Sequence, residues 1–125
     1  MPTLRISAGP VSVTAQLNDS PTARLLWEAL PIDGKANRWG DEIYFSIPID
    51  ADEEPDARAG VEVGEIAFWP PGNAFCIFWG PTPASRGSQP MAASPVNVLG
   101  RIVGDATQFD RVSSGARVRL ERSDT

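Results

Sequence analysis

The sequence predicts a mainly β domain, a barrel or sandwich of short strands carrying one amphipathic helix, and three observations support that expectation. Twelve prolines and eleven glycines are spread along 125 residues and break them into short apolar runs, leaving no room for long helices. Several of those runs alternate apolar and polar residues with the period of two that a half-buried strand requires. Hydrophobic residues are 42% and charged residues 22%, ordinary usage for a globular chain, and the length suits one core, so residues 1–125 are read as a single domain.

Leu4-Arg5-Ile6 and Val11-Ser12-Val13-Thr14-Ala15 flank Gly9-Pro10 and predict a first hairpin with Leu4, Ile6, Val11 and Val13 facing inward. Ser20-Pro21 then supplies an N-cap and a first-turn proline. Ala23, Leu26, Trp27 and Leu30 follow at helical spacing, and Pro31 stops the helix. A helix this short is marginal unless packed, so its apolar stripe is expected to plug one open end of the sheet. From Glu42 to Ile47 the chain alternates again, with Ile43, Phe45 and Ile47 on one face and Tyr44 and Ser46 on the other. The acidic, proline-containing segment from Asp50 to Asp56 reads as an exposed loop without the spacing of an EF-hand. Val61 to Gly80 is the densest apolar region, read as two strands joined by Pro70-Pro71-Gly72-Asn73. Pro81 to Pro95 has no periodicity and is expected to be a long surface loop. Val96 to Val103 is a strand with a bulge at Gly100, Asp105 to Val112 a turn or short helix, and Ala116, Val118 and Leu120 the inward face of a last strand.

Charge and residue usage exclude several classes of chemistry. The net charge is −5, and from Asp41 to Glu65 nine acids stand against Arg58 alone, so the concentrated basic face that nucleic acid needs is missing. There is no histidine, which removes Ser-His, Cys-His and His-metal arrangements, and no catalytic, metal-binding or cofactor motif is found. Cys76 is single and sits in the apolar Phe75-Cys76-Ile77-Phe78, where a thiol serves as a small core residue. No apolar run is long enough to span a bilayer, and Met1 to Ile6 lacks the regions of a secretory signal, so no membrane partner and a cytoplasmic location are expected.

Three stretches, Pro21-Thr22-Ala23 to Leu30-Pro31, Trp39-Gly40-Asp41-Glu42-Ile43-Tyr44-Phe45 and Gly64-Glu65-Ile66-Ala67-Phe68-Trp69-Pro70-Pro71-Gly72-Asn73-Ala74 through Gly80-Pro81-Thr82-Pro83, resemble the bacterial cyclophilin-like domain family of unknown function. The Val96-Asn97-Val98-Leu99-Gly100-Arg101-Ile102 strand fits the same pattern. The resemblance implies a closed eight-stranded cyclophilin-like barrel with one or two short helices capping its ends. True cyclophilins place their activity on an arginine in a Phe-His-Arg strand. The matching strand here reads Tyr44-Phe45-Ser46, with Ser46 at the arginine's place, and Phe75 stands where a second active-site residue, a glutamine, is expected. The resemblance therefore implies the fold without the isomerase chemistry.

Arg101 is the only charge in its apolar strand, so it must pair, snorkel or face a groove. One reading is structural, an ion pair with Glu65 or Asp41. The other makes it the anchor of a ligand pocket lined by Tyr44, Trp69 and Phe78, with Asn97 as a second hydrogen-bonding group. On the second reading the protein is a non-catalytic binding module whose aromatic groove takes a small molecule or an extended peptide. The alternatives are a peptidyl-prolyl isomerase with an altered site and a structural or oligomeric interaction domain.

Overall fold

The computed structural model describes residues 2–123 and shows a mainly antiparallel β architecture with one α-helix and two short 3-10 turns. The strands are β1 (Thr3–Ala8), β2 (Val11–Leu17), β3 (Ile32–Lys35), β4 (Asn37–Arg38), β5 (Glu42–Ser46), β6 (Arg58–Gly60), β7 (Glu65–Trp69), β8 (Ala74–Phe78), β9 (Met91–Val103) and β10 (Arg117–Arg122). The helix, α1, spans Pro21–Ala29.

The strands form one 10-stranded sheet in the order β3-β10-β1-β2-β9-β7-β8-β5-β4, with β6 paired to β9 off that path. This corrects the expectation of a closed, eight-stranded barrel. The strands that the sequence pattern does not mark, β3, β4 and β6, are 4, 2 and 3 residues long, too short to show a period. The path ends at β3 and β4, which are consecutive in the chain and joined at Ala36, whose N–H donates to the Ala116 carbonyl at 2.8 Å. The two end strands of the path are thus linked by a single residue of chain. Leu4, Ile6, Val13, Ile32, Ile43, Phe45, Ile66, Phe68, Phe75, Ile77, Leu99, Val118 and Leu120, drawn from strands along the whole path, consequently share one core.

The predicted hairpin, helix and inward faces are present. β1 and β2 pair across Gly9-Pro10 with Ala8 opposite Val11, and Leu4, Ile6, Val11 and Val13 are buried. The Ser20 side chain accepts a hydrogen bond from the Ala23 N–H at 3.2 Å, Pro21 opens the helix, and Leu26 enters the core. Pro70–Gly72 turns the chain from β7 to β8, helped by Asn73 in the left-handed region at φ 47°. The bulge near Gly100 is also real: Ile66 pairs with Gly100 and Ala67 with Val98, leaving Leu99 extra and buried. Asn18 takes up the bulge's carbonyls, donating from its Nδ2 to Val98 and from its backbone N–H to Leu99, both at 2.7 Å. Only glycine fits at position 100, because a Cβ there would lie 2.0 Å from the Gln16 carbonyl oxygen.

The reading of Pro81 to Pro95 as loop holds only in part, since β9 already begins at Met91. That portion pairs with three-residue β6, with a register shift between Arg58 and Gly60, so no alternation marks it. A second, smaller core lies on the outer face of the sheet. Ala67, Ala74, Cys76 and Phe78 are covered there by Val61, Ala92 and Val96, with Tyr44, Trp69 and Val98 at its margin. Burial on both faces explains why β7 and β8 are nearly continuous apolar runs rather than alternating ones.

Candidate functional site

The outer core is incomplete at one end. There the strands leave a cavity of about 250 Å³ lined by Trp39, Glu42, Tyr44, Trp69, Cys76, Ala92 and Ala93. Register explains the convergence. Inward Ile43 and Phe45 force Glu42 and Tyr44 onto the outer face of β5, Tyr44 stands opposite Cys76 of β8, and Trp69 closes β7 opposite Ala74. Trp39 comes from the turn before β5, where its N–H bonds the Glu42 carbonyl at 2.9 Å, and Ala92 and Ala93 come from the start of β9.

The Trp69 wall is held at two points. Its indole Nε1 donates to Ser94 Oγ at 2.7 Å, and a Cβ on Gly72 would lie 2.8 Å from the six-membered ring, so that glycine leaves the ring its place. Glu42 supplies the charged group of the cavity. It is 4% exposed, and among the described residues no arginine or lysine forms an ion pair with it. Desolvation pushes its carboxyl up to about 7, and a hydrogen bond from the Cys76 thiol opposes the shift. Burial in turn drives the thiol well above its ordinary value, so Cys76 stays protonated and is no nucleophile.

Arg38, on the neighbouring strand β4, is committed elsewhere. It bonds Asp41 at 3.3 Å and Asp110 at 3.0 Å and lies over the Trp79 ring at 4.9 Å, tying the β4 edge to the 3-10 turn of Ala106–Arg111.

Of the five residues singled out from sequence, Tyr44 and Trp69 line the cavity and three lie elsewhere. Phe78 is fully buried in the outer core. Asn97 is 1% exposed and holds the acidic loop down. Its Nδ2 donates to Thr22 Oγ1 at 3.1 Å and to the Asp52 carbonyl at 2.9 Å, while its Oδ1 accepts from the Glu54 N–H at 2.8 Å. Glu54 in turn accepts from the Thr22 hydroxyl and, at 3.1 Å, from the Thr22 N–H in the first turn of α1. A segment that reads as solvated is therefore anchored by its one inward carboxylate. Arg101 sits opposite Glu65, four residues along β7 from Trp69, or about 13 Å at the rise of a strand. It pairs with Glu62 at 3.2 Å with both side chains more than half exposed, and it borders a separate groove with Gln16, Asn18 and Glu65. Glu65 is engaged by Arg58 at 2.8 Å, which, against the cost of burial, holds its carboxyl below the usual range.

No local pattern in the sequence marks Trp39, Glu42 or Cys76 as site residues. The alternation of β5 does place Glu42 beside Tyr44, but an outward glutamate normally reads as solvated. Around the cavity it is enclosed with Trp69, Cys76, Ala92 and Ala93, which arrive from distant sequence.

Comparison with known proteins agrees with this architecture. The solution structure of the hypothetical protein AF2241 from Archaeoglobus fulgidus superposes with a TM-score of 0.82 at 38% identity, covering 98% of this chain and 95% of that one. No curated protein matches. The family model described as cyclophilin-like matches residues 2–121. With nearly every described residue inside that match, the chain belongs to the cyclophilin-like family.

Proposed function

We propose that the protein is a non-catalytic binding module that takes a small molecule in the cavity between Trp39, Tyr44 and Trp69. The observation behind this reading is the cavity itself, with three aromatic side chains and a small-residue floor around one buried carboxyl. Ligand sites have this make-up, apolar walls with few polar groups, and the volume falls just below their usual range of about 300 to 1,000 Å³. That size favours a compact molecule over an extended peptide.

Titration of Glu42 near neutrality favours a second reading, general acid–base catalysis. Against it, the other ionisable groups on the wall are Tyr44 and the protonated Cys76, and no activated nucleophile stands beside them. For prolyl isomerisation, Ser46 at the end of β5 is exposed, and its hydroxyl donates to the Gly72 carbonyl at 3.1 Å.

Fragment screening by amide and indole chemical shifts tests the binding reading. Shifts should cluster at Trp39, Tyr44, Trp69 and Ala92. Fragments that bind only at the Gln16–Arg101 groove, or nowhere, would refute it.

A further inference from the structure

We infer that the ligand of this cavity is a small organic cation, an ammonium whose head lies against the Glu42 carboxylate and whose apolar body lies between Trp39, Tyr44 and Trp69. The inference rests on the reading of the cavity as a ligand site and adds the chemistry of its occupant.

Three features converge on a cation. Glu42 is 4% exposed, and buried carboxylates are normally paired. Among the described residues no cation pairs with it, and its side chain borders the cavity, so the cavity is the side from which a partner can arrive. The walls carry three aromatic rings, whose negative faces attract cations most strongly where water is excluded. An anion, by contrast, would meet a carboxyl and no arginine or lysine, and the Trp69 N–H is already given to Ser94.

The ionisable groups facing Glu42 are the Cys76 thiol from β8 and the Tyr44 phenol on its own strand. Neither supplies a positive charge. Binding a cation therefore requires the carboxylate form, and below neutrality it expels a proton from Glu42. With half-titration near 7, about a tenth of the protein is competent at pH 6, so affinity for a permanently charged ligand should fall roughly tenfold from pH 8 to pH 6.

The test uses phenyltrimethylammonium, whose charge does not titrate, with benzyl alcohol as the neutral aromatic and benzoate as the anion. The indole resonances of Trp39 and Trp69 are followed at pH 8 and pH 6, and calorimetry in two buffers of different ionisation enthalpy counts protons. The cation should bind at least about tenfold more tightly than benzyl alcohol at pH 8. It should weaken roughly tenfold at pH 6 while releasing close to one proton, and benzoate should not bind. Glu42→Gln should remove both the cation preference and the proton release while leaving benzyl alcohol binding in place. If benzyl alcohol or benzoate binds as tightly as the cation at pH 8, or if the cation's affinity is the same at both pH values, the cation inference is overturned and the cavity stands as a ligand site. If none of the three moves either indole at millimolar concentration, the binding reading fails, and the inference with it.

Discussion

Replacing Glu42 with glutamine keeps the shape of the side chain and removes its titration, which isolates the cost of holding a carboxylate in the outer core. An ordinary glutamate titrates near 4.5, and burial moves this one to about 7. That difference between folded and unfolded states corresponds to roughly 3 kcal/mol. The folded state holds the proton more tightly. Its contribution to stability is therefore complete below about pH 4.5 and is lost as the pH rises through about 7. Glu42→Gln lacks that loss. Urea unfolding of both proteins from pH 4.5 to 8.5 should show the variant gaining on the parent by up to about 3 kcal/mol, most of it before pH 7.5. The comparison is clean because the chain has no histidine, and the remaining carboxylates titrate alike in both proteins. A stability difference constant within about 0.5 kcal/mol over that range would mean that Glu42 is solvated, and the description of the cavity floor would be wrong.

Other substitutions separate structural polar groups from surface ones. Asn97→Ala should cost about 1–3 kcal/mol in urea unfolding, because it leaves the Glu54 N–H and the Asp52 carbonyl without their buried partner. Arg101→Ala should cost less than about 1 kcal/mol and leave ligand shifts at Trp69 unchanged, since its pair with Glu62 is exposed. Leu26→Ala, at a fully buried position of α1, should lower stability by about 2 to 5 kcal/mol; a near-neutral result would mean that the helix does not seal the core. A coupled proline-peptide assay should show only background turnover, and clear catalysis lost on substitution of Tyr44 would replace the binding reading with isomerase activity.

The elements legible in the sequence are those whose determinants lie within a few residues of one another. Ser20 and Pro21 start a helix by capping and by fixed φ, and alternation in β1, β2, β5 and β10 assigns inward faces because side chains on a strand change sides at every residue. Pro70-Pro71-Gly72-Asn73 likewise dictates its own turn. The very short strands were not legible, since β4 and β6 are too brief for a period and exist only because β5 and β9 offer them partners. Nor was the candidate site. Tyr44 and Trp69 stood out as aromatics, but Arg101, a conspicuous charge in sequence, reaches solvent at the other end of β7, while Glu42, an inconspicuous one, is buried. Local pattern says which face of a strand a residue occupies. Whether that face meets water or another layer depends on what the rest of the chain lays over it, and Glu42 shares its cavity with Trp69 and with Ala92 and Ala93 at the start of β9, far from it in sequence.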